Sequence, residues 1–250
     1  MGKVFTQTID CTDHRDLVIQ WDKKDEIQTN VDMRYFCPDT RYKFGCSHMT
    51  HTIMTAIEMM VNICLHAYDY HKTHKKTRLA AYLTAKHTNF FSTELLETCT
   101  IQKYKKLTYR NILKTTYDVG ICPNDDLDNS NSMHDYNVSK ISEYARIKDT
   151  GNSKCGNLRK KKGIIDTLKR TLNKQCPVIG SIPLPYDKKK YCNGIINGNF
   201  SPKKYVSVLF IGFIDNFSYD SNGYFIFRSP FGHRWGEKGY GYISYKTMEK

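Results

Sequence analysis

The chain of 250 residues lacks any apolar run near the ~20 residues that a membrane-crossing helix needs. Its most apolar stretch, Val206–Phe213, has the length of a buried strand. No export signal is visible, because Met1–Thr8 carries one Lys and no apolar core. No Cys-x-x-Cys pair occurs, which argues against a zinc ribbon, and the nine cysteines are odd in number and scattered along the chain. Thiols in a reducing, cytoplasmic compartment are therefore expected. There is no internal repeat and no low-complexity tract. Disordered, collagenous and coiled-coil classes are excluded by an aromatic content of 13% at an ordinary charged fraction of 25%. The length suffices for one large or two small cores.

Acid is also in short supply. Lys and Arg number 38 against 25 Asp and Glu, giving a formal charge of +13. An acidic partner or nucleic acid would suit that balance. The basic runs Lys72–Arg78, Lys103–Lys106, Arg159–Lys162 and Lys188–Lys190 are short and separated by apolar segments, however, and read first as solvated faces. A single binding patch would require them to converge.

Along the chain, residues 1–30 are polar and aperiodic, an extended or partly ordered lead-in. Ser47 can cap a helix whose apolar residues recur at Ile53, Ile57, Met60, Val61 and Cys64. Further helices are expected at Lys76–Lys86, at Tyr109–Tyr117 with Gly120 as its stop, and at Lys161–Leu172, where Ile164, Ile165, Leu168 and Leu172 form one stripe. The Asp- and Asn-rich 124–137 stretch reads as a loop. The pattern then changes. Pro177–Ile182 and Val206–Phe213 are β-branched runs, and Tyr224–Phe227 and Tyr240–Tyr245 are aromatic-rich and partly alternating. Helices up to about residue 172 followed by strands make an α+β arrangement, with a mainly helical half at 31–172 and a mainly β half at 173–250.

The C-terminal stretch Tyr224–Ile243 contains Trp235-Gly236-Glu237-Lys238-Gly239-Tyr240-Gly241-Tyr242-Ile243 and resembles the closing pattern of the papain/cathepsin family of cysteine peptidases. Val206–Phe213 is similar to that family's His-Ala-Val strand. Pro177–Ser181 is similar to the segment that opens its β half, and Tyr109–Pro123 to a helix and turn of the short prokaryote- and virus-type members. The helix Met49–Ile63, with Ala56-Ile57-Glu58, resembles the nucleophile-bearing helix, and Asp32-Met33-Arg34 the Asp-x-Arg before it. The resemblance runs in order over about residues 31–245. It implies a two-lobe fold, a helical half and an antiparallel β-barrel-like half with a cleft between them. It also implies a Cys-His-Asn chemistry in which a thiolate sits at a helix N-terminus.

Carried over residue by residue, the resemblance puts a residue other than the family's own at each catalytic position. Counting back ten residues from Glu58 places His48 where the family has its Cys. The His position becomes Val206, the Asn position Ser229, and the oxyanion Gln position Tyr42. An alkyl side chain cannot accept a proton at any pH, and a thiol without a base is a weak nucleophile. The expected protein is therefore a pseudopeptidase that binds a polypeptide in the cleft or serves a structural role. The alternatives are an active peptidase rearranged around Cys46, and a basic, nucleic-acid-associated protein on the same scaffold. No cofactor is expected. His48 and His51 share a helix face and would hold zinc only with a third ligand, such as His66 or Cys46, so no metal is assigned. His48 at a helix start should resist protonation in the positive local field. His66, His71 and His74 are expected to be exposed, and Phe231 and Trp235 to pack as walls. The wealth of Lys, Asn, Ile and Tyr suits an AT-rich genome and a virus-encoded protein acting in a host cell.

Overall fold

Ser47 does cap the helix that the pattern announces. Its Oγ accepts from the Thr50 N–H at 3.1 Å, and its carbonyl accepts the first helical bond, from the His51 N–H at 3.1 Å. In the computed structural model, which describes residues 26–38, 46–71, 92–121, 140–147, 161–183, 195–196, 205–216 and 222–249, this helix, α1, runs His48–His71. Helix α2 spans Thr93–Tyr104 and α3 spans Tyr109–Asp118; α1, α2 and α3 pack on one another in one compact unit. The expected helix at Lys76–Lys86 and the 124–137 loop lie outside the described residues.

Two sequence expectations change in this unit. The buried stripe of α1 is not Ile53, Ile57, Met60, Val61 and Cys64. Met49, Ile53, Met54, Ala56, Met59 and Ile63 are buried, whereas Cys64 is exposed. The start of the helix is enclosed on nearly all sides, with Thr50, Thr52 and Thr55 buried among the aliphatics, so no single apolar stripe describes it. Helix α2 was not expected at all. Its buried residues are Thr93, Leu96 and Thr100, which leave no apolar period to detect. The signals it does carry are a Ser92 cap, Glu94 in the first turn and Lys103 in the last, charges that complement the helix dipole.

Threonine is tolerated inside because its hydroxyl turns back on the helix. Thr52 donates to the His48 carbonyl at 2.7 Å, Thr55 to that of His51, Thr100 to that of Leu96, and Thr116 to that of Ile112. Thr115 donates to the Asn111 carbonyl at 2.9 Å, and its Oγ1 lies 3.0 Å from that of Thr100 across α2 and α3, so both of these buried hydroxyls have partners. Helix α3 ends as expected, with Gly120 at φ 100° donating to the Thr115 carbonyl at 3.1 Å.

The second unit is a six-stranded sheet with a helix packed against it. Its strands are β1 (Asn30–Asp32), β2 (Val178–Pro183), β3 (Ile195–Ile196), β4 (Tyr205–Asp215), β5 (Gly223–Arg228) and β6 (Tyr240–Ser244). The order is β1-β4-β5-β6-β3. One edge of the long β4 is shared end to end by two short strands, β1 opposite Gly212–Ile214 and β2 opposite Tyr205–Phe210. All pairings are antiparallel except β3 with β6, which is parallel. Residues 206–213 are buried without a break, so the apolar run is the doubly covered strand it was read to be. Phe210, Phe213, Phe225, Phe227 and Ile243 form the centre of this core.

Helix α4 (Lys161–Asn173) packs on β4 and β2 and buries Ile165, Leu168 and Leu172. By packing it belongs with the strands, although in sequence order it closes the run of helices. Lys169 of α4 bonds both Asp215 oxygens, at 2.8 and 2.6 Å, and its ammonium lies 5.0 Å from the centre of the Phe213 ring. The Tyr245 hydroxyl, from the short helix α5 (Tyr245–Met248), donates to the same carboxylate at 2.7 Å. Burial and that carboxylate push the Tyr245 phenol well above its ordinary range. Among the described residues no helix is long and apolar enough to cross a membrane.

Candidate functional site

In the helical unit, the site begins with Cys46-Ser47-His48. Ser47 is buried, and Cys46 and His48 are half-buried. Helix α2 presents two side chains to them from positions one turn apart. Thr93 Oγ1 lies 3.4 Å from the Cys46 sulfur, which donates to it. Glu97 accepts from the Ser47 N–H at 2.8 Å and from the Thr50 hydroxyl at 2.9 Å through one carboxylate oxygen. The first turn of α1 thus has a carboxylate against its amide end, where the helix field is positive. Glu97 carries no motif; its role appears only when α1 and α2 meet.

His48 is held below its ordinary basicity, the direction expected of it, but the cause is loss of solvent around the ring and not the field of the helix start. His51 is half-buried, while His66 is exposed and stands edge-on to Phe36, with ring centres 5.3 Å apart. Among the described residues no group of three or more His, Cys, Asp or Glu gathers in a metal-holding arrangement. Tyr42 and His74 lie outside the described residues, as does the His71 side chain.

In the sheet unit, Val206 is only 2% exposed and pairs with Ile182 of β2. Ser229 follows directly on β5. The last ladder pair of β5 with β4 is Arg228 with Leu209, three residues from Val206 along β4. Ser229 is 3% exposed, and its Oγ accepts from the Phe231 N–H at 3.0 Å, a local turn bond that occupies one of its two lone pairs. His233 is exposed on the following loop. Trp235 does pack as a wall, 5.9 Å from the Phe227 ring centre and 5.6 Å from that of Phe231.

The recognisable motifs have visible structural work. The loop after β5 closes through Trp235 N–H to the Gly232 carbonyl and Gly239 N–H to the Trp235 carbonyl, with Gly239 at φ 92°. Gly212 of β4 lies so close to β1 that a Cβ would stand 2.2 Å from the Val31 carbonyl oxygen. The Asp32-Met33-Arg34 motif is a clamp. Arg34 forks onto the Asp32 carboxylate, with Nη2 at 2.6 Å, while Nη1 reaches the Tyr242 hydroxyl at 3.2 Å and lies 3.7 Å from Glu237. Tyr242 itself donates to Glu237, and burial together with that carboxylate pushes its phenol up to about 12. Two motifs at opposite ends of the sequence are thereby tied together.

A helical unit with a long capped helix and a mainly antiparallel sheet unit define a protein of the papain-like α+β class. The chain belongs to the papain family of cysteine proteases, whose family model matches residues 17–250. Among solved structures it is similar to xylellain, a cysteine protease from Xylella fastidiosa, with a TM-score of 0.62 and 17% identity over 99% of this chain and 91% of that one. It is also similar to the proform of the ragweed pollen allergen Amb a 11, a cysteine protease, with a TM-score of 0.58 and 18% identity over 89% of this chain and 62% of that one. The bromelain protease from Ananas comosus, solved with the E64 inhibitor, matches with a TM-score of 0.52 and 14% identity over 87% of this chain and 90% of that one. No curated protein matches the chain in sequence.

Proposed function

We propose that the chain is a catalytically inert member of the papain family that binds a polypeptide in a reducing, cytoplasmic setting. The observation that carries this reading is Val206. The head of β4, where the resemblance puts the family's imidazole, holds a buried alkyl group that has no atom to take or give a proton. Ser229 supports it, because its hydroxyl is engaged by the Phe231 amide. The start of α1 supports it too, since His48 has no sulfur and the Cys46 thiol donates to Thr93.

The test is labelling with an epoxide warhead of the E64 type, followed by mass spectrometry of the Cys46 peptide, beside a fluorogenic peptide assay. No adduct on Cys46 and no thiol-sensitive hydrolysis are expected. One adduct per chain on Cys46 with matching hydrolysis would replace this reading with a rearranged active peptidase. Retention on RNA or DNA that falls steeply with salt would replace the polypeptide with a nucleic acid, the other partner that the charge of +13 favours.

A further inference from the structure

We infer that Glu97 is the residue that keeps the start of α1 chemically silent, because it already fills from within the chain the place where this helix end would otherwise stabilise a thiolate. The inference rests on the reading of 46–48 as the disused nucleophile segment, and it adds a residue that no motif identifies.

A helix N-terminus lowers the pKa of a nearby thiol because its unsatisfied amides and its dipole favour negative charge. That capacity is finite. Here the Ser47 amide is used by Glu97 at 2.8 Å, and the Thr50 amide by Ser47 Oγ at 3.1 Å. The Thr50 hydroxyl, which also lies 2.8 Å from Ser47 Oγ, is used by Glu97 at 2.9 Å. The Ser47 amide and the Thr50 hydroxyl, both on buried residues of the first turn, are thus tied to one carboxylate oxygen.

The same carboxylate stands close to the one sulfur in the segment. Ser47 N belongs to the peptide bond that joins Cys46 to Ser47. Thr93, whose Oγ1 is 3.4 Å from the Cys46 sulfur, precedes Glu97 by one turn on the same face of α2. An anion at Cys46 would therefore face a like charge and find the Ser47 and Thr50 amides already taken. Both effects favour the neutral thiol. In this role Glu97 is a positioning residue: it acts through the helix end and does not touch a substrate.

The experiment compares Glu97→Gln with the native chain. The amide keeps the shape and an acceptor oxygen for the Ser47 N–H, and removes the charge. Site-resolved alkylation of Cys46 by iodoacetamide is followed by mass spectrometry across pH. Glu97→Gln should shift the apparent pKa of Cys46 down by roughly one unit and raise its rate at neutral pH several-fold, while Cys64, exposed on the same helix, keeps its profile. An unchanged Cys46 profile in a folded variant overturns the inference. A second measurement uses His48→Cys alone and with Glu97→Gln. The introduced thiol should titrate in the ordinary thiol range when Glu97 is present and lower when it is replaced. A low value with Glu97 in place overturns the inference as well. The two readings fail separately: an epoxide adduct on native Cys46 defeats the inert-peptidase reading, whereas an uncharged Glu97 without effect defeats only the role given to Glu97.

Discussion

The two units bury their interiors by different chemistry. The sheet unit is filled with Phe210, Phe213, Phe225, Phe227 and aliphatic neighbours, and its polar atoms are mostly ladder amides that pair with one another. The helical unit places Thr50, Thr52, Thr55, Thr100, Thr115 and Thr116 inside and satisfies their hydroxyls one by one. An apolar core gains from area and depends on shape. A hydroxyl-lined core gains less per residue and depends on every bond being made. The first should fail through steric intrusion, the second through loss of a single partner.

The largest effect should come from intruding on the sheet. Gly212→Ala drives a Cβ into the Val31 carbonyl oxygen, 2.2 Å away, and backbone cannot swing aside as a side chain can. Urea unfolding should show a loss above about 3 kcal/mol or no folded protein. A loss under about 1 kcal/mol would mean that β1 adapts to β4 and that shape is less strict there than argued.

Asp215→Asn should come next. It leaves the Lys169 ammonium, whose side chain is 17% exposed, without its counter-charge, and it weakens the bond from Tyr245. A loss of about 3 kcal/mol is expected for a mostly buried pair broken on one side. Lys169→Met with Asp215→Leu should recover most of it, since apolar residues replace such pairs well in a core of this kind.

The helical unit should respond more gently and less additively. Thr100→Val removes the hydroxyl whose one proton serves the Leu96 carbonyl at 2.7 Å and the Thr115 hydroxyl at 3.0 Å, and should cost about 1 kcal/mol. Thr100→Val with Thr115→Val should cost less than the sum of the single changes, because both members of the pair are gone. Strict additivity in a double-mutant cycle would show that the hydroxyl pair adds nothing to the α2–α3 interface.

The smallest effect concerns pH. Burial lowers the folded pKa of His48 below 6.5, so below 6.5 the unfolded chain takes up a proton sooner than the folded one. The contribution is complete above 6.5 and is lost as pH falls from there through the lowered folded value. Because His48 is only half-buried, a few tenths of a kcal/mol are expected. His48→Gln should flatten the stability curve below about pH 7, and an NMR titration of His48 should show a midpoint under 6.5. A midpoint above that value would reverse the sign.

What could be read from the residues follows the same division. Four of the strands, β2, β4, β5 and β6, were legible because Val206–Phe213 is an unbroken apolar run and the β-branched and aromatic stretches stand out, whereas the two- and three-residue strands β3 and β1 are too short to show a pattern. The helices at 161–172 and 109–117 were legible from period and stop signals. Helix α2 was not, because its inward face is threonine, a residue whose burial depends on a carbonyl four residues earlier and not on its own hydropathy. On α1 the helix was legible but its buried face was not, since enclosure on nearly all sides leaves no stripe to find.

The order of residues alone determined that papain-like motifs occur in sequence, and it carries the resemblance that sets His48, Val206 and Ser229 against the family's catalytic positions; side-chain chemistry is a local property, and valine is inert wherever it lies. Only the tertiary structure decided that Glu97 meets the start of α1, that Arg34 joins Asp32 to Tyr242, and that α4 packs with the strands. Those are contacts between residues remote in sequence, and their energies depend on distance and burial, which no one-dimensional pattern contains.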